Sequence, residues 1–298
     1  MNVERIDLTG RVAIVTGAGA GLGRSHALLL ASRGAKVVVN DLGDGAARVS
    51  EEINAAGGSA RAAEGSVTDR DFVERMVSDT LEEWGRVDIL INNAGILRDK
   101  SFGKMDMDDF ELVIQVHLMG AAYCSKAVWE TMREQGYGRI VMTASSSGLY
   151  GNFGQSNYSA AKMGLVGLMQ TLALEGARHG IQVNCLAPTA ATQMLEGILP
   201  REQLELLAPE RVSPAVLALV AEGAPTRTIL CAGAGGFEVA NISLTQGIYL
   251  SDAELSGEAI SGRWDALVDR QDEMVPGFGF AQSRHELKKA GYIVEETD

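Results

Sequence analysis

The sequence is poor in the residues that mark several specialised classes of protein. Its 298 residues include only three cysteines, six prolines and 5% aromatic residues. Cys124, Cys185 and Cys231 are odd in number, far apart and set in apolar runs, which is typical of buried thiols in a reducing compartment. We therefore expect neither a disulfide framework nor a metal site.

Excess positive charge and long apolar runs are also missing. Lysine and arginine number 26 against 39 acidic residues, which gives a net charge of −13. Nucleic-acid binding needs a basic face, so no nucleic-acid partner is expected. No apolar run approaches the length of a membrane span, so no membrane partner is expected either.

The two ends of the chain indicate the compartment. The first ten residues, MNVERIDLTG, contain acidic side chains and no apolar core, unlike a signal peptide. The last three, ETD, differ from an SKL-type peroxisomal signal. We expect a cytoplasmic protein.

Strand-like and helical patterns alternate along most of the chain. Predicted strands occupy residues 11–16, 36–40, 59–63, 87–91, 139–143 and 181–187, with a seventh strand and its hairpin at 228–231 and 236–240. A long helix is predicted over 106–135, with an interruption near Gly120. This alternation predicts an α/β fold: a single-domain, Rossmann-type doubly wound sheet of about seven parallel strands flanked by helices.

The last fifty residues differ in character from the rest. Residues 251–298 are more charged, have helical patterns, and hold too few apolar side chains for a core of their own. We expect a domain over 1–250 and a helical extension over 251–298 that packs on the same domain or on a partner subunit.

A glycine-rich turn follows the first predicted strand. Gly17, Gly21 and Gly23 lie between that strand and a helix, where glycines allow backbone N–H groups to approach a pyrophosphate. Asp41 ends the second strand, 24 residues after Gly17, where an acidic group binds the ribose hydroxyls and repels a 2′-phosphate. The pattern predicts NAD as cofactor, the alternative being that Asp41 only caps a loop.

A serine, a tyrosine and a lysine provide the candidate chemistry. Tyr158 and Lys162 are four residues apart in a helical pattern, so they share one helix face. Ser145 follows the fifth strand, where its hydroxyl can face Tyr158. An ammonium group lowers the pKa of a nearby phenol, so Tyr158 can exchange the proton of an alcohol while Ser145 hydrogen-bonds its oxygen.

This trio has other interpretations when considered alone. A tyrosine and lysine at this spacing also occur as an exposed helical pair. A serine hydrolase is disfavoured because Ser145 has no GxSxG context. The predicted dinucleotide-binding turn earlier in the chain favours the catalytic interpretation of the trio.

Taken together, these motifs resemble the short-chain dehydrogenase/reductase family. The resemblance is carried by TGAGAGLG (16–23), NNAG (92–95), Ser145, YSAAK (158–162) and VNCLAP (183–188). It implies that Tyr158 is the catalytic acid/base, that Lys162 lowers its pKa and holds the nicotinamide ribose, and that Ser145 binds the substrate oxygen. It also implies homodimers or homotetramers.

The resemblance further implies a set of cofactor contacts. Gly17, Ala20, Gly21, Leu22 and Gly23 would form the turn around the pyrophosphate. The remaining contacts would be Asp41 at the ribose, Ser66 and Val67 at the adenine, Asn93 along the fourth strand, and Ala191 and Thr192 at the nicotinamide amide.

The chain departs from the family pattern at His117. Many members have an asparagine there that joins a proton relay through water, so His117 is either a relay or supporting residue, or a core histidine.

Several segments resemble the dehydrogenase portion of peroxisomal bifunctional hydratase-dehydrogenases and their bacterial stand-alone relatives. These segments are 37–43, 94–102, 116–120, 148–165 and 230–240. The resemblance implies oxidation of (3R)-hydroxyacyl-CoA with NAD. It is loose over the expected substrate lid, about 190–228, so a steroid or other bulky secondary alcohol is an alternative substrate. A dinucleotide-binding regulator without turnover is the alternative of another class.

Overall fold

The apolar runs of the sequence form strands that are buried on both faces. The computed structural model describes residues 5–190 and 200–293. Within these ranges β1 (Val12–Thr16), β4 (Ile89–Asn92) and β5 (Gly138–Thr143) are buried along their whole length. Strands of this kind need a layer of helices on each face, as parallel sheets have in α/β proteins.

Helices and strands alternate in the predicted order. The first half contains α1 (Gly21–Ser32), β2 (Lys36–Asp41), α2 (Gly45–Ala55), β3 (Ser59–Glu64), α3 (Arg70–Trp84), α4 (Met107–Ile114) and α5 (Gly120–Gln135). The second half contains α6 (Ser146–Tyr150), α7 (Ser156–Gly176), β6 (Ile181–Thr189), α8 (Arg201–Leu206), α9 (Ser213–Val220), β7 (Ile229–Gly233) and β8 (Gly236–Ala240). Short 3-10 turns lie at Phe102–Lys104, Ala177–His179 and Pro209–Arg211.

The strands form a sheet with the order β3-β2-β1-β4-β5-β6-β7-β8. All register pairs from β3 to β7 are parallel, for example Val15 with Val39 and Val15 with Ile91. The predicted doubly wound fold is confirmed, with eight strands because β8 follows β7 after a two-residue turn. The direction of strand order reverses between β1 and β4, and such a switch point opens a crevice at the carboxyl edge.

The predicted long helix is interrupted just before Gly120. Residues Gln115–Met119 form a π-helical turn between α4 and α5, so the interruption is confirmed. A π turn inserts an extra residue and rotates the side chains that follow, and such turns are frequent at functional sites. Here the turn contains His117, whose side chain is buried.

The chain divides into two compact units, with the boundary between Val239 and Ala240. The second unit contains α10 (Gly257–Ser261), α11 (Trp264–Val268), α12 (Phe280–Lys289) and one antiparallel bridge, Leu244 with Met274. No residue from 240 to 293 is fully buried. The predicted division at residue 250 and the packing of 251–298 stay predictions.

Candidate active site

The glycine turn between β1 and α1 is closed on one side and open on the other. A Cβ atom on Gly17 would lie 2.7 Å from the Cα of Ala94, and one on Gly23 would lie 2.1 Å from the carbonyl oxygen of Gly17. Nothing lies within 4 Å of a Cβ on Gly21, whose φ is +53°. The backbone at Gly21 therefore leaves room for a phosphate group beside the N-terminus of α1, which attracts anions.

The first turn of α1 contains the other predicted pyrophosphate contacts. Ala20 is the N-cap with extended backbone, and Leu22 and Gly23 follow within the helix. The described residues thus fit a dinucleotide pyrophosphate at this helix N-terminus.

A cavity of about 200 Å³ lies at the carboxyl ends of β1, β2 and β4. The predicted cofactor residues that line it are Gly17, Asp41, Ser66, Val67 and Asn93. The carboxylate of Asp41 accepts hydrogen bonds from the N–H groups of Gly19 at 2.8 Å and Leu42 at 2.7 Å. These bonds fix the carboxylate beside the cavity, where it fits the ribose of a dinucleotide.

Asn93 connects β4 to the glycine turn. Its Nδ2 donates to the carbonyl oxygens of Thr16 at 3.1 Å and Gly17 at 3.0 Å, and its backbone N–H donates to Thr16 Oγ1 at 3.0 Å. Asn93 therefore shapes the cofactor cavity as well as lining it. Ala191 and Thr192 lie outside the described residues.

The candidate catalytic trio converges at the same edge of the sheet. Ser145 is the N-cap of α6, and its side chain lies close enough to the phenol of Tyr158 on α7 to lower the pKa of that phenol. One turn further along α7, Lys162 is 3% exposed and donates from Nζ to the carbonyl oxygen of Thr143 at 2.5 Å. The Nζ atom lies 5.4 Å from the centroid of the Tyr158 ring. Ser145 and Lys162 are buried and Tyr158 is half-buried, so Tyr158 and Lys162 are not an exposed helical pair.

Burial dominates the electrostatics of the trio. Burial raises the pKa of Tyr158 above its ordinary value. Hydrogen bonding to Ser145 partly offsets this increase, and the negative charge of Asp99 adds to it. Burial also lowers the pKa of Lys162 to about 7. Both groups are thus shifted toward their neutral forms, and the lowering of the Tyr158 pKa by Lys162 stays a prediction.

His117 lies directly beside Tyr158. The two rings meet edge to face with centroids 5.2 Å apart. The Nε2 atom of His117 lies 2.8 Å from the carbonyl oxygen and 3.1 Å from the backbone nitrogen of Ile96. Burial, with the charge of Lys162, lowers the pKa of His117 to about 3, so the ring is neutral at physiological pH.

The imidazole of His117 packs against the glycine of the NNAG motif. A Cβ on Gly95 would lie 2.2 Å from His117 Cε1, so only glycine leaves room for the ring. The Nδ1 atom of His117 is buried without a hydrogen-bond partner in the described part of the chain. His117 therefore faces the site, and its role stays open between relay and support.

Two residues of the site escaped the sequence analysis. Asp99 accepts a hydrogen bond from Gln155 Nε2 at 2.7 Å, and Asn157 is fully buried at the start of α7. The available signal was the position of Asn157, an amide residue just before Tyr158 at a predicted helix start.

The part of the chain that the structure describes meets neither the requirements of a metal site nor those of a membrane-spanning helix. Residues 5–190 and 200–293 contain no group of three or more histidine, cysteine, aspartate or glutamate side chains that could hold a metal ion. None of their helices is both long and apolar enough to cross a membrane.

The fold and the site define an oxidoreductase that acts on CH–OH groups with a nicotinamide dinucleotide. The short chain dehydrogenase family matches residues 11–203. The chain belongs to this family, as its motifs predict.

Comparison with known proteins supports this assignment. The chain is 45% identical to the peroxisomal hydratase-dehydrogenase-epimerase of Saccharomyces cerevisiae over 95% of its own length and 32% of the relative. It is also 45% identical to a short-chain type dehydrogenase/reductase of Mycobacterium tuberculosis, over 90% of this chain and 97% of the relative. The chain spans between 32% and 63% of the multifunctional relatives from yeast, Dictyostelium discoideum and Drosophila melanogaster.

Two solved structures share the fold. The full-length peroxisomal multifunctional enzyme type 2 of Drosophila melanogaster matches with a TM-score of 0.82 and 38% identity, over 96% of this chain and 50% of that chain. A 7α-hydroxysteroid dehydrogenase in complex with NADH and 7-oxo glycochenodeoxycholic acid matches with a TM-score of 0.72 and 30% identity, over 77% of this chain and 95% of that chain.

Proposed function

We propose that this chain is an NAD-dependent dehydrogenase that interconverts 3-hydroxyacyl-CoA and 3-ketoacyl-CoA. The observation that carries the proposal is the convergence of Ser145, Tyr158 and Lys162 at the sheet edge that also holds the dinucleotide cavity. The substrate class rests on the resemblance of the active-site segments to the dehydrogenase portion of the multifunctional enzymes.

Each side chain of the trio has a separate role in alcohol oxidation. Ser145 hydrogen-bonds the carbinol oxygen, and Tyr158 takes the hydroxyl proton as the carbonyl forms. A bound nicotinamide would supply the acceptor for the hydride that leaves the carbinol carbon. Lys162 supplies the positive charge that favours the phenolate of Tyr158, and with Tyr158 it holds the nicotinamide ribose. In ketone reduction Tyr158 returns the proton.

The cofactor is held by residues on either side of the switch point. Gly17, Gly21 and Gly23 admit the pyrophosphate, and Asp41 binds the ribose. A carboxylate at this position disfavours a 2′-phosphate, since like charges brought together cost several kcal/mol. The proposed cofactor is therefore NAD rather than NADP. Ser66, Val67, Ala191 and Thr192 complete the proposed contacts.

A hydroxysteroid or another bulky secondary alcohol is the second candidate substrate. It is favoured by the structural match to the 7α-hydroxysteroid dehydrogenase, whose complex contains a bile-acid ligand. Both substrates would use the same trio and differ in the residues of the lid, about 190–228.

The decisive experiment measures NADH formation with a panel of alcohols. The panel contains (3R)- and (3S)-hydroxyacyl-CoAs of several chain lengths, hydroxysteroids and simple secondary alcohols. Turnover restricted to the (3R)-hydroxyacyl-CoAs supports the proposal, and turnover restricted to steroids overturns the substrate while keeping the chemistry.

The role of Tyr158 has its own test. We expect Tyr158→Phe to lower turnover by roughly 10² to 10⁴-fold with NADH binding retained, because the proton acceptor is removed. Tyr150→Phe is the matched control, since Tyr150 is 74% exposed at the end of α6. A Tyr158→Phe enzyme with the rate of the control would exclude Tyr158 as acid/base.

The cofactor preference is tested by Asp41→Asn, which removes the charge and keeps the shape. We expect the ratio of kcat/KM for NAD to that for NADP to fall by about tenfold or more. Asp44→Asn, an exposed position in the following turn, should leave the ratio unchanged. An unchanged ratio in Asp41→Asn would remove the basis for preferring NAD.

Assembly and location stay proposals. We propose a homodimer or homotetramer in the cytoplasm, which size-exclusion chromatography with light scattering and cell fractionation can check. The relatives named peroxisomal make the peroxisome the alternative outcome.

A further inference from the structure

Asn157 is fully buried and stands immediately before the candidate acid/base. Its Nδ2 donates to the carbonyl oxygen of Arg98 at 3.0 Å, and its Oδ1 accepts from the backbone N–H of Tyr158 at 2.7 Å. The first N–H groups of a helix have no partner within the helix, and α7 has no side-chain cap from Gln155. Asn157 therefore satisfies the backbone of Tyr158 and ties it to a distant loop.

That loop, residues 94–100, follows β4 and also lines the cofactor cavity. It makes two further hydrogen bonds to the start of α7: Lys100 N–H to Gly154 O at 2.9 Å, and Gln155 Nε2 to Asp99 Oδ2 at 2.7 Å. Ala94, Gly95 and Ile96 belong to the cavity wall. The cofactor cavity and the start of the catalytic helix thus share one segment of chain.

The same loop is bound on its other side by His117, which contacts both backbone polar groups of Ile96. Since the His117 ring also meets the Tyr158 ring edge to face, these contacts form a continuous ring of residues. It runs from Tyr158 through Asn157 to the loop, and back through His117 to the Tyr158 ring. Asn157 bonds to the backbone of Tyr158 and His117 contacts its ring, and both residues also bond to the loop 94–100.

We propose that Asn157 is a positioning residue for the reaction, which holds Tyr158 in register with Ser145 and with the cofactor cavity. The inference rests on the proposed role of Tyr158 as acid/base. Asn157 contacts the backbone of Tyr158 and acts through that residue. A displacement of about 1 Å at a reacting group can cost about a hundredfold in rate, so a buried tether at this position has a measurable effect.

Displacement of Tyr158 also changes its ionisation. The groups that face the phenol are Ser145 from α6, Lys162 from α7, His117 from the π turn and Asp99 from the loop. Of these, Ser145 lowers the pKa of Tyr158 through its hydrogen bond. Loss of this bond would raise the pKa further, and oxidation would then require a higher pH.

The test compares Asn157→Ala with Asn184→Ala. Asn184 on β6 is equally buried and has the same bonding pattern, with Nδ2 donating to Pro225 O at 2.7 Å and Oδ1 accepting from Thr228 N–H at 2.9 Å. Both variants lose two buried hydrogen bonds, so both should lose stability. Only Asn157→Ala should lower kcat by about tenfold to a hundredfold and shift the pH profile of kcat upward.

A readout that does not require turnover is the carbon-13 NMR titration of labelled tyrosine, with Tyr158→Phe used for assignment. We expect a higher Tyr158 pKa in Asn157→Ala and an unchanged one in Asn184→Ala. Asn157→Ser should behave like Asn157→Ala, because the shorter serine side chain cannot reach the carbonyl oxygen of Arg98.

Wild-type kcat and Tyr158 pKa in Asn157→Ala or Asn157→Ser would overturn the inference and leave the proposed function intact. Equal shifts in Asn157→Ala and Asn184→Ala would also overturn it, because the effect would then be general. Failure of the proposed function shows separately, as full turnover in Tyr158→Phe.

Discussion

The two edges of the central sheet differ in how many hydrogen-bond partners their buried polar groups have. At the amino edge, Asp88 is fully buried and accepts from Val12 N–H, from Arg11 and twice from Arg86, at 2.6 to 3.0 Å. Nearby, the guanidinium of Arg139 donates to carbonyl oxygens of Gly138, Gly180, Ala221 and Glu222 at 2.9 to 3.1 Å. Asp88 and Arg139 thus find several partners within the chain, although the buried Oε1 of Gln182 at the same edge has no hydrogen-bond partner among the described residues.

At the carboxyl edge several buried atoms lack such partners. Among the described residues these include Asn92 Oδ1, His117 Nδ1 and Thr143 Oγ1. The buried ammonium group of Lys162 donates to one carbonyl oxygen. Unsatisfied buried groups cost stability and are rare outside functional sites. Asp88 and Arg139 therefore stabilise the amino edge, whereas the carboxyl edge leaves more buried polar atoms unpaired among the described residues, where a ligand can bond to them.

The largest expected effect comes from removing the ammonium of the carboxyl edge. Lys162→Met should lower turnover by roughly 10² to 10⁴-fold while raising the free energy of unfolding by about 1 to 3 kcal/mol, since a buried amine is replaced by an apolar chain of similar size. Urea unfolding and steady-state kinetics measure both quantities. A loss of stability in Lys162→Met would contradict the view that polar groups at the carboxyl edge cost stability.

The matching change at the amino edge should have the opposite stability effect. Arg139→Met removes a guanidinium bonded to four carbonyl oxygens, and we expect a loss of about 3 to 5 kcal/mol in the free energy of unfolding. Turnover per folded molecule should stay close to wild type, because Arg139 lies at the opposite edge from the trio. A stability equal to wild type would show that this edge is not the stabilising one.

The smallest expected effect concerns pH. Burial lowers the pKa of His117, and that of His26 on α1, to about 3, against about 6.5 in an unfolded chain. Above pH 6.5 both states are neutral and nothing is lost. As the pH falls toward 3 only the unfolded state takes up these protons, so stability decreases, by about 2 kcal/mol per histidine at pH 5.

His117→Asn separates the two histidines. It should remove the share of about 2 kcal/mol that His117 contributes to the stability difference between pH 8 and pH 5, measured by urea unfolding at both values. If the variant loses as much stability on acidification as wild type, His117 is not a source of the acid sensitivity.

The sequence predicted those parts of the site that depend on local pattern. Gly17 to Asp41 could be recognised because strand, turn, helix and strand follow one another within one short stretch. The pairing of Tyr158 with Lys162 followed from helical spacing alone. The π turn was less accessible, because a one-residue insertion leaves the apolar periodicity of a helix almost unchanged. The order of the strands depends on pairing between distant segments, which local patterns do not specify.

Hydrogen bonds from side chains to distant backbone carbonyls escaped prediction. Asn157 and Arg98 are 59 residues apart, and Arg139 binds carbonyl oxygens 41 to 83 residues away. A backbone carbonyl is the acceptor in each case, so no side-chain motif marks the partner. Such bonds cannot be inferred from residue identity.

By itself, the sequence determined the alternating α/β order, the glycine-rich turn and the candidate catalytic side chains, because short-range spacing and residue chemistry fix these. The tertiary structure alone decided that Lys162 and His117 are buried and shifted toward neutrality, that Asn157 joins the start of α7 to a distant loop, and which buried polar atoms find partners. Burial and hydrogen-bond partners depend on what the rest of the chain brings alongside, and that is settled only by packing.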